Sequence, residues 1–182
     1  MSDPSGETLL ASELIYDGRI VHLYKETVRL PDGNTVVREV IKHPGAVAIV
    51  PIEQDSVILV RQYRLPTHQL LLEVPAGTLE PGEDPLVCAH RELQEEIGYK
   101  AASMQPLGGL YTAPGYTSEY IHLFIATGLT ESKLTQDADE FIEVVRLPFD
   151  EALRLIENGT IRDGKTIAAL LWAARRGTGL AK

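Results

Sequence analysis

The chain reads as an α/β protein, with a mixed β-sheet, covering helices and a small antiparallel strand unit in front. Three observations predict this. Strand-like runs lie on both sides of one internal helix pattern, two more helix patterns close the chain, and the runs before residue 42 are short and parted by turn residues. At 182 residues one domain is the natural size class, and 44% apolar residues suffice for a core.

Taken in order, residues 1–8 carry no pattern. Ser12 to Leu30 reads as strand, turn, strand around Gly18, the second run including Ile20-Val21-His22-Leu23-Tyr24. Pro31-Asp32-Gly33-Asn34 is a turn, and Thr35 to Ile41 the strand after it. Residues 1–41 thus form an N-terminal β unit, and 42–182 the main domain. There, Ala46 to Ile52 is an almost unbroken apolar run, the mark of a strand buried on both faces. Gln54-Asp55 turns it into Ser56 to Arg64, and Leu70 to Pro75 is a further short strand. Gln105 to Tyr111 and Glu119 to Thr127 read as strands around a Pro-Gly loop, and Phe141 to Leu147 as a late strand. Helices are expected over Phe149 to Asn158, stopped by Gly159, and from Asp163 or Gly164 to about Arg175, with Ile167, Leu170, Leu171 and Ala174 on the buried side.

The internal helix carries the chemistry. Asp84 can cap its first turn and Pro85 suits the first helical position. Leu86, Ala89, Leu93 and Ile97 make an apolar stripe, and Gly98 is placed to end it. On the helix, Glu92 and Glu96 stand at i and i+4, about 6 Å apart along the axis, with Glu95 beside them. Such like charges repel, and a hard cation such as Mg2+ or Mn2+ relieves the repulsion through carboxylate oxygens. Arg91 offers an internal counter-charge, and Glu83 precedes the helix. The ordinary reading of an acidic cluster is a solvated face. The glycine-proline entry and the cap argue against it here.

Other features narrow the function. A formal charge of -9 disfavours nonspecific nucleic-acid and anionic-membrane binding. Cys88 is the one cysteine, which excludes an intrachain disulfide and a cysteine-rich zinc site, and its place in the helix reads as packing. The opening MSDPSGETLL lacks a basic segment and a long apolar run, so no secretion signal is expected and the cytoplasm is the expected compartment. Arg61 and Arg64 end one strand three residues apart and so point to opposite faces. One is a candidate for phosphate and the other for a subunit contact. Glu73 is a candidate hydrogen-bonding partner for ribose or adenine, and Tyr24, Tyr111 and Tyr116 are candidate stacking residues.

Gly77, Glu83 after five intervening residues, and Arg91-Glu92-Leu93-x-Glu95-Glu96-x-Gly98-Tyr99 fill every fixed position of a known motif. The segment is similar to the complete box of the Nudix hydrolases, and the resemblance extends over about residues 42–176. Pro114, sixteen residues past Gly98, together with VRQYR at 60–64 and LEVPAG at 72–77, resembles the ADP-ribose pyrophosphatase subgroup. The resemblance implies an α/β/α sandwich and hydrolysis of a pyrophosphate bond, with ADP-ribose as substrate and another nucleoside diphosphate sugar or NADH as the alternative. It implies two or more Mg2+ or Mn2+ ions held by Glu92, Glu95, Glu96 and the Ala76 carbonyl, supported by Glu83, with Arg91 in the catalytic set. It further implies a homodimer in which the N-terminal unit is exchanged, and a substrate pocket drawing on Arg61, Arg64, Glu73, Tyr111, Pro114 and Tyr116. For the carboxylate that activates water, Glu140 is the first choice and Glu143 the alternative. A regulator that binds nucleotides without hydrolysis remains the competing class. Its simplest signature would be loss of one box residue, and here the set is intact.

Overall fold

A computed structural model describes residues 6–132, 134 and 141–176 of the chain. Along it run β1 (Thr8–Asp17), β2 (His22–Arg29), β3 (Thr35–Lys42), β4 (Ala46–Glu53), β5 (Ser56–Arg64), β6 (Gln69–Glu73), β7 (Ala76–Thr78), α1 (Pro85–Glu96), β8 (Tyr99–Tyr111), β9 (Tyr120–Glu131), β10 (Glu143–Pro148), α2 (Phe149–Glu157) and α3 (Gly164–Arg175). They form two units. The first runs to Gly45 and takes in Tyr111–Tyr120; the second holds Ala46–Leu110 and the chain from Ile121 on. No described helix is long and apolar enough to cross a membrane.

The first unit is an antiparallel sheet in the order β1-β2-β3. Its first turn is one step longer than the sequence suggests. The Gly18 amide donates to the Val21 carbonyl, which draws Ile20 and Val21 into the turn and starts β2 at His22. In the second turn Gly33 has φ +89, and the Asp32 carboxylate accepts from the Asn34 amide, an Asx turn of the kind Asp favours. The end of β3 holds the 113–118 loop: the Ile41 amide donates to the Tyr116 carbonyl and the Ser118 amide to the Ile41 carbonyl.

The second unit is a mixed sheet in the order β10-β5-β4-β9-β8, with β6 added to β5 and β7 to β4. Strands β4 and β9 are parallel, while β4 pairs antiparallel with β5 and β7. Strand β4 is central and covered on both faces, which explains its unbroken apolar run. Val47 and Ile49 pack with Ile58, Val60, Leu93 and Phe124 under α1. On the other face Ala48 and Val50 pack with Leu59, Leu123, Phe149 and Leu170 under α2 and α3. This is the expected mixed sheet between helices.

Two helix faces differ from the sequence reading, for one reason. The inner face of α1 holds Cys88, Ala89, Leu93 and Glu96, and Leu86 is exposed. The inner face of α3 holds Thr166, Ala169, Leu170 and Ala173, and Leu171 is exposed. In each case a polar residue sits on the buried face with a specific partner. Scoring only apolar residues therefore rotates the inferred stripe away from the true one. The cap and stop of α1 are as expected: the Asp84 carboxylate accepts from the Leu86 amide at 2.8 Å, and Gly98 has φ +76.

Leu93 has no exposed surface and joins α1 to the sheet. Leu93→Ala is expected to lower unfolding free energy by about 3 kcal/mol, read from urea denaturation. A loss under about 1 kcal/mol would mean that α1 is not anchored through this contact.

Candidate active site

Strand β7 pairs with β4 so that Ala76 lies opposite Ala48 and Gly77 opposite Val47, and α1 runs above this short strand. The i, i+4 carboxylates of α1 meet it directly. Glu96 is almost fully buried, and its Oε2 accepts from the Ala76 amide at 3.0 Å. Glu92 lies over Gly77: a Cβ at residue 77 would come within 1.9 Å of Glu92 Oε1. Only glycine leaves room for the carboxylate there. The spacing of the glycine and the two glutamates is therefore one packing relation between a strand and a helix.

Arg91 gathers the other acids. Its Nε and Nη2 donate to the two oxygens of Glu83 at 3.0 and 2.9 Å, and its Nη1 donates to Glu92 Oε1 at 2.7 Å and Glu95 Oε2 at 3.0 Å. Glu83 also accepts from the Glu80 amide. The hydrogen bonds from Arg91 hold the Glu83 carboxyl down at about 2, and the same bonds raise the Arg91 pKa. Cys88 is buried, and burial pushes its thiol up to about 12, so it packs and offers no thiolate.

Among the described residues no three acidic, histidine or cysteine side chains converge in a ready metal cage. Glu92 and Glu95 close on Arg91, and Glu96 is turned to the Ala76 amide. The donors nonetheless suit a hard divalent cation: they are carboxylates, and the missing Cβ of Gly77 lets the Glu92 carboxylate lie against the Ala76–Gly77 backbone.

A second polar cluster lies next along the chain. Arg64 forks onto Glu73, Nε to Oε1 and Nη2 to Oε2, both at 2.8 Å. Lys165 also donates to Glu73 Oε2 and lies 3.0 Å from Asp163 Oδ2. Asp163 caps α3 by accepting from the amide and the hydroxyl of Thr166, at 3.0 and 2.5 Å. Thr166 Oγ1 in turn accepts from the Val74 amide at 2.9 Å. Glu73 is 1% exposed. Burial pushes its carboxyl up, but Arg64 and Lys165 outweigh that and hold it below the ordinary carboxylate value. Its oxygens are thus engaged inside the chain. Arg61, on the opposite face of β5, pairs with both oxygens of Glu143 across the β5–β10 ladder. Glu140 lies outside the described residues.

Sequence reasoning missed Lys165 and Thr166. Asp163 followed three residues later by a hydroxyl residue is a cap signal, but the partner of that hydroxyl, Val74, is 92 residues away.

In the first unit, Pro114 and Gly115 occupy the centre of a turn closed by the Tyr116 amide on the Ala113 carbonyl at 3.1 Å. Proline presets the φ of the first central position. Pro114 and Tyr116 line a cavity of ≈ 460 Å³ with Glu7, Glu26, Arg38 and Glu39. Tyr111 meets Tyr120 edge to face at 5.0 Å, and Lys42 lies 4.0 Å over the Tyr24 ring.

Comparison with known proteins adds the following. Residues 42–170 match a family described as the NUDIX domain, and residues 7–41 one described as the nucleoside diphosphate sugar hydrolase N-terminal domain. The chain is 44% identical over 167 residues to a methanol dehydrogenase activator of Bacillus methanolicus, covering 90% of each chain. It is 41% identical over 167 residues to an ADP-ribose pyrophosphatase of Bacillus subtilis (strain 168), again covering 90% of each. A crystal structure of an ADP compounds hydrolase superposes with a TM-score of 0.87 at 29% identity, over 96% of both chains.

The depressed Glu83 carboxyl gives a pH prediction. Its folded value, about 2, lies below its ordinary 4.5, so its contribution to stability is present above 4.5 and is lost as pH falls toward 2. Glu83→Gln should therefore flatten the acid limb of stability against pH between about 4.5 and about 2, measured by urea midpoints. Parallel limbs for variant and parent would show that the Arg91–Glu83 pair contributes nothing to folding.

Proposed function

The chain belongs to the Nudix family, and on that premise we propose that it hydrolyses ADP-ribose to AMP and ribose 5-phosphate. The observation that carries this reading is the fit of Glu92 and Glu96 onto the Ala76–Gly77 strand, because it builds an acid-lined site for a pyrophosphate-bound cation. The similarity to an ADP-ribose pyrophosphatase and to an ADP compounds hydrolase supports the choice of substrate. The family depends on a divalent metal. Glu92, Glu95, Glu96 and the Ala76 carbonyl would hold two or more Mg2+ or Mn2+ ions, with Glu83 in support. When bound, such ions neutralise the pyrophosphate oxygens and favour ionisation of water.

This chain's own residues do the rest. Arg91 bridges Glu83, Glu92 and Glu95 and keeps the Glu83 carboxyl ionised. Gly77 keeps Glu92 unobstructed. A carboxylate, Glu140 with Glu143 as the alternative, takes a proton from water as its oxygen bonds to phosphorus. The bridging P–O bond breaks, and its electron pair leaves with the departing phosphate. Arg64, held in place by Glu73, and Arg61 are the proposed phosphate contacts of the second unit, and Tyr111, Pro114 and Tyr116 are the proposed substrate contacts of the first.

A second reading has one observation in its favour. The similarity to a methanol dehydrogenase activator suits a protein that acts on a dehydrogenase, with NADH as the dinucleotide carrying the same bond. The match to a nucleoside diphosphate sugar hydrolase N-terminal domain keeps other such sugars in the substrate panel.

We further propose a homodimer in which residues 1–41 complete the partner's pocket. Every residue of β1 is exposed, including Leu9, Leu14, Ile15 and Tyr16, and three strands alone bury little core.

With Mg2+, AMP release from ADP-ribose should exceed that from other nucleoside diphosphate sugars and from NADH; a competitor favoured more than about tenfold in kcat/KM would overturn the substrate. Glu92→Gln and Glu96→Gln should each lower kcat on the order of a hundredfold with the fold intact by circular dichroism. Loss of about a hundredfold is also expected for Glu140→Gln, or failing that for Glu143→Gln, and near-normal rates in both would reject that role. Sedimentation should report roughly 40 kDa, twice the 20.0 kDa chain. A fully active 20.0 kDa species would exclude an essential dimer.

A further inference from the structure

The segment from Glu73 to Gly77 links two strands and presents the Ala76–Gly77 backbone to the acids of α1. Its polar groups are held by residues outside the segment. The Glu73 carboxylate is taken by Arg64 and Lys165, the Val74 amide by Thr166, the Pro75 carbonyl by the Ile49 amide at 2.8 Å and the Ala76 amide by Glu96. Two of these anchors, Lys165 and Thr166, are neighbours in the first turn of α3, 92 residues from Glu73 and Val74.

We propose that Lys165 and Thr166 are positioning residues that set the height and angle of the Ala76–Gly77 backbone beneath Glu92 and Glu96. This rests on the reading that Ala76, Glu92 and Glu96 hold the divalent cation. Two consecutive residues of the segment, Glu73 by side chain and Val74 by backbone, are fastened to one helical turn. A two-point attachment fixes orientation as well as distance, which one hydrogen bond does not. Thr166 is fully buried and Asp163 fixes its hydroxyl, so its oxygen faces Val74 in one orientation. The clamp ends two residues before Ala76, and the tolerance beyond it is small. The Gly77 site already brings a hypothetical Cβ to 1.9 Å from Glu92, so a shift of the strand by a few tenths of an ångström changes where that carboxylate can lie. Neither Lys165 nor Thr166 belongs to the helix that carries the acids, and neither needs to touch substrate or cation.

The test measures cation binding rather than turnover. Binding of Mn2+ is followed by the loss of the free-ion electron paramagnetic resonance signal, in the parent, Thr166→Val, Thr166→Ser, Lys165→Met and Lys165→Arg, at a temperature where each is folded by circular dichroism. Thr166→Val keeps volume but leaves the Val74 amide without its acceptor, and should weaken Mn2+ binding about tenfold. Thr166→Ser, which restores the oxygen, should bind within about twofold of the parent. Lys165→Met removes a positive charge, so simple electrostatics would tighten Mn2+; the clamp instead requires weaker binding, with Lys165→Arg recovering most of it. Parent-like affinity in Thr166→Val and parent-like or tighter affinity in Lys165→Met would overturn the proposal. If the parent binds Mn2+ but cleaves no ADP-ribose, the substrate reading fails while the clamp is still decided by these affinities. If the parent binds no Mn2+, the reading on which the clamp rests fails with it.

Discussion

The second unit depends on how one short stretch of backbone, Glu73 to Gly77, is satisfied. It leaves β6 and enters β7, and between those strands its polar groups cannot all join a sheet ladder. A buried backbone amide without an acceptor costs about 1–3 kcal/mol. The chain meets this from both sides of the sheet. From α3 comes the Thr166 hydroxyl, and from α1 the Glu96 carboxylate. Each helix therefore buries one polar residue on its inner face, and each polar residue fixes the rotation of its helix about its own axis.

The acids of α1 follow from the same constraint. With Glu96 committed to the Ala76 amide, a helix turn brings Glu92 over Gly77 and leaves Glu95 toward solvent. Arg91 bridges Glu83, Glu92 and Glu95, so the like charges of one helix face are held together. Arg91 is a side-chain partner of these acids and takes no part in the contact of Glu96 with the backbone. The carboxylates proposed for chemistry are also structural here, and Glu83, bonded twice by Arg91 and once by the Glu80 amide, anchors the arginine.

The Arg64–Glu73–Lys165 cluster illustrates how a buried ion pair is retained. Such pairs contribute little net stability compared with apolar packing, since desolvation offsets the attraction. What they do supply is geometry: the two donors of a planar guanidinium and the ammonium of Lys165 leave Glu73 one orientation. The first unit relies on backbone pairing instead. Its 113–118 loop is held to Ile41 by two hydrogen bonds, and Pro114 only shapes the turn between them.

The sequence by itself determined whatever is local or periodic. The unbroken run of β4, the Asp84 cap and Gly98 stop of α1, the turns at 31–34 and 54–55, and the opposed directions of Arg61 and Arg64 are all properties of a few adjacent residues. So are the acids of α1: Glu92, Glu95 and Glu96 are legible because helix geometry brings them to one side, whereas Gly77 was legible only through the resemblance to a known motif. The tertiary structure alone decided which stripe of each helix faces inward. Leu86 and Leu171 were expected inside and lie outside, because Glu96 and Thr166 hold the inner faces through partners far away in the chain. It alone decided, too, that Glu73 is a buried counter-ion, since Lys165 gives no local sign of reaching a residue 92 positions earlier. A polar side chain on a buried face is favourable only with its partner present, and that partner is chosen by the fold and not by the neighbouring sequence.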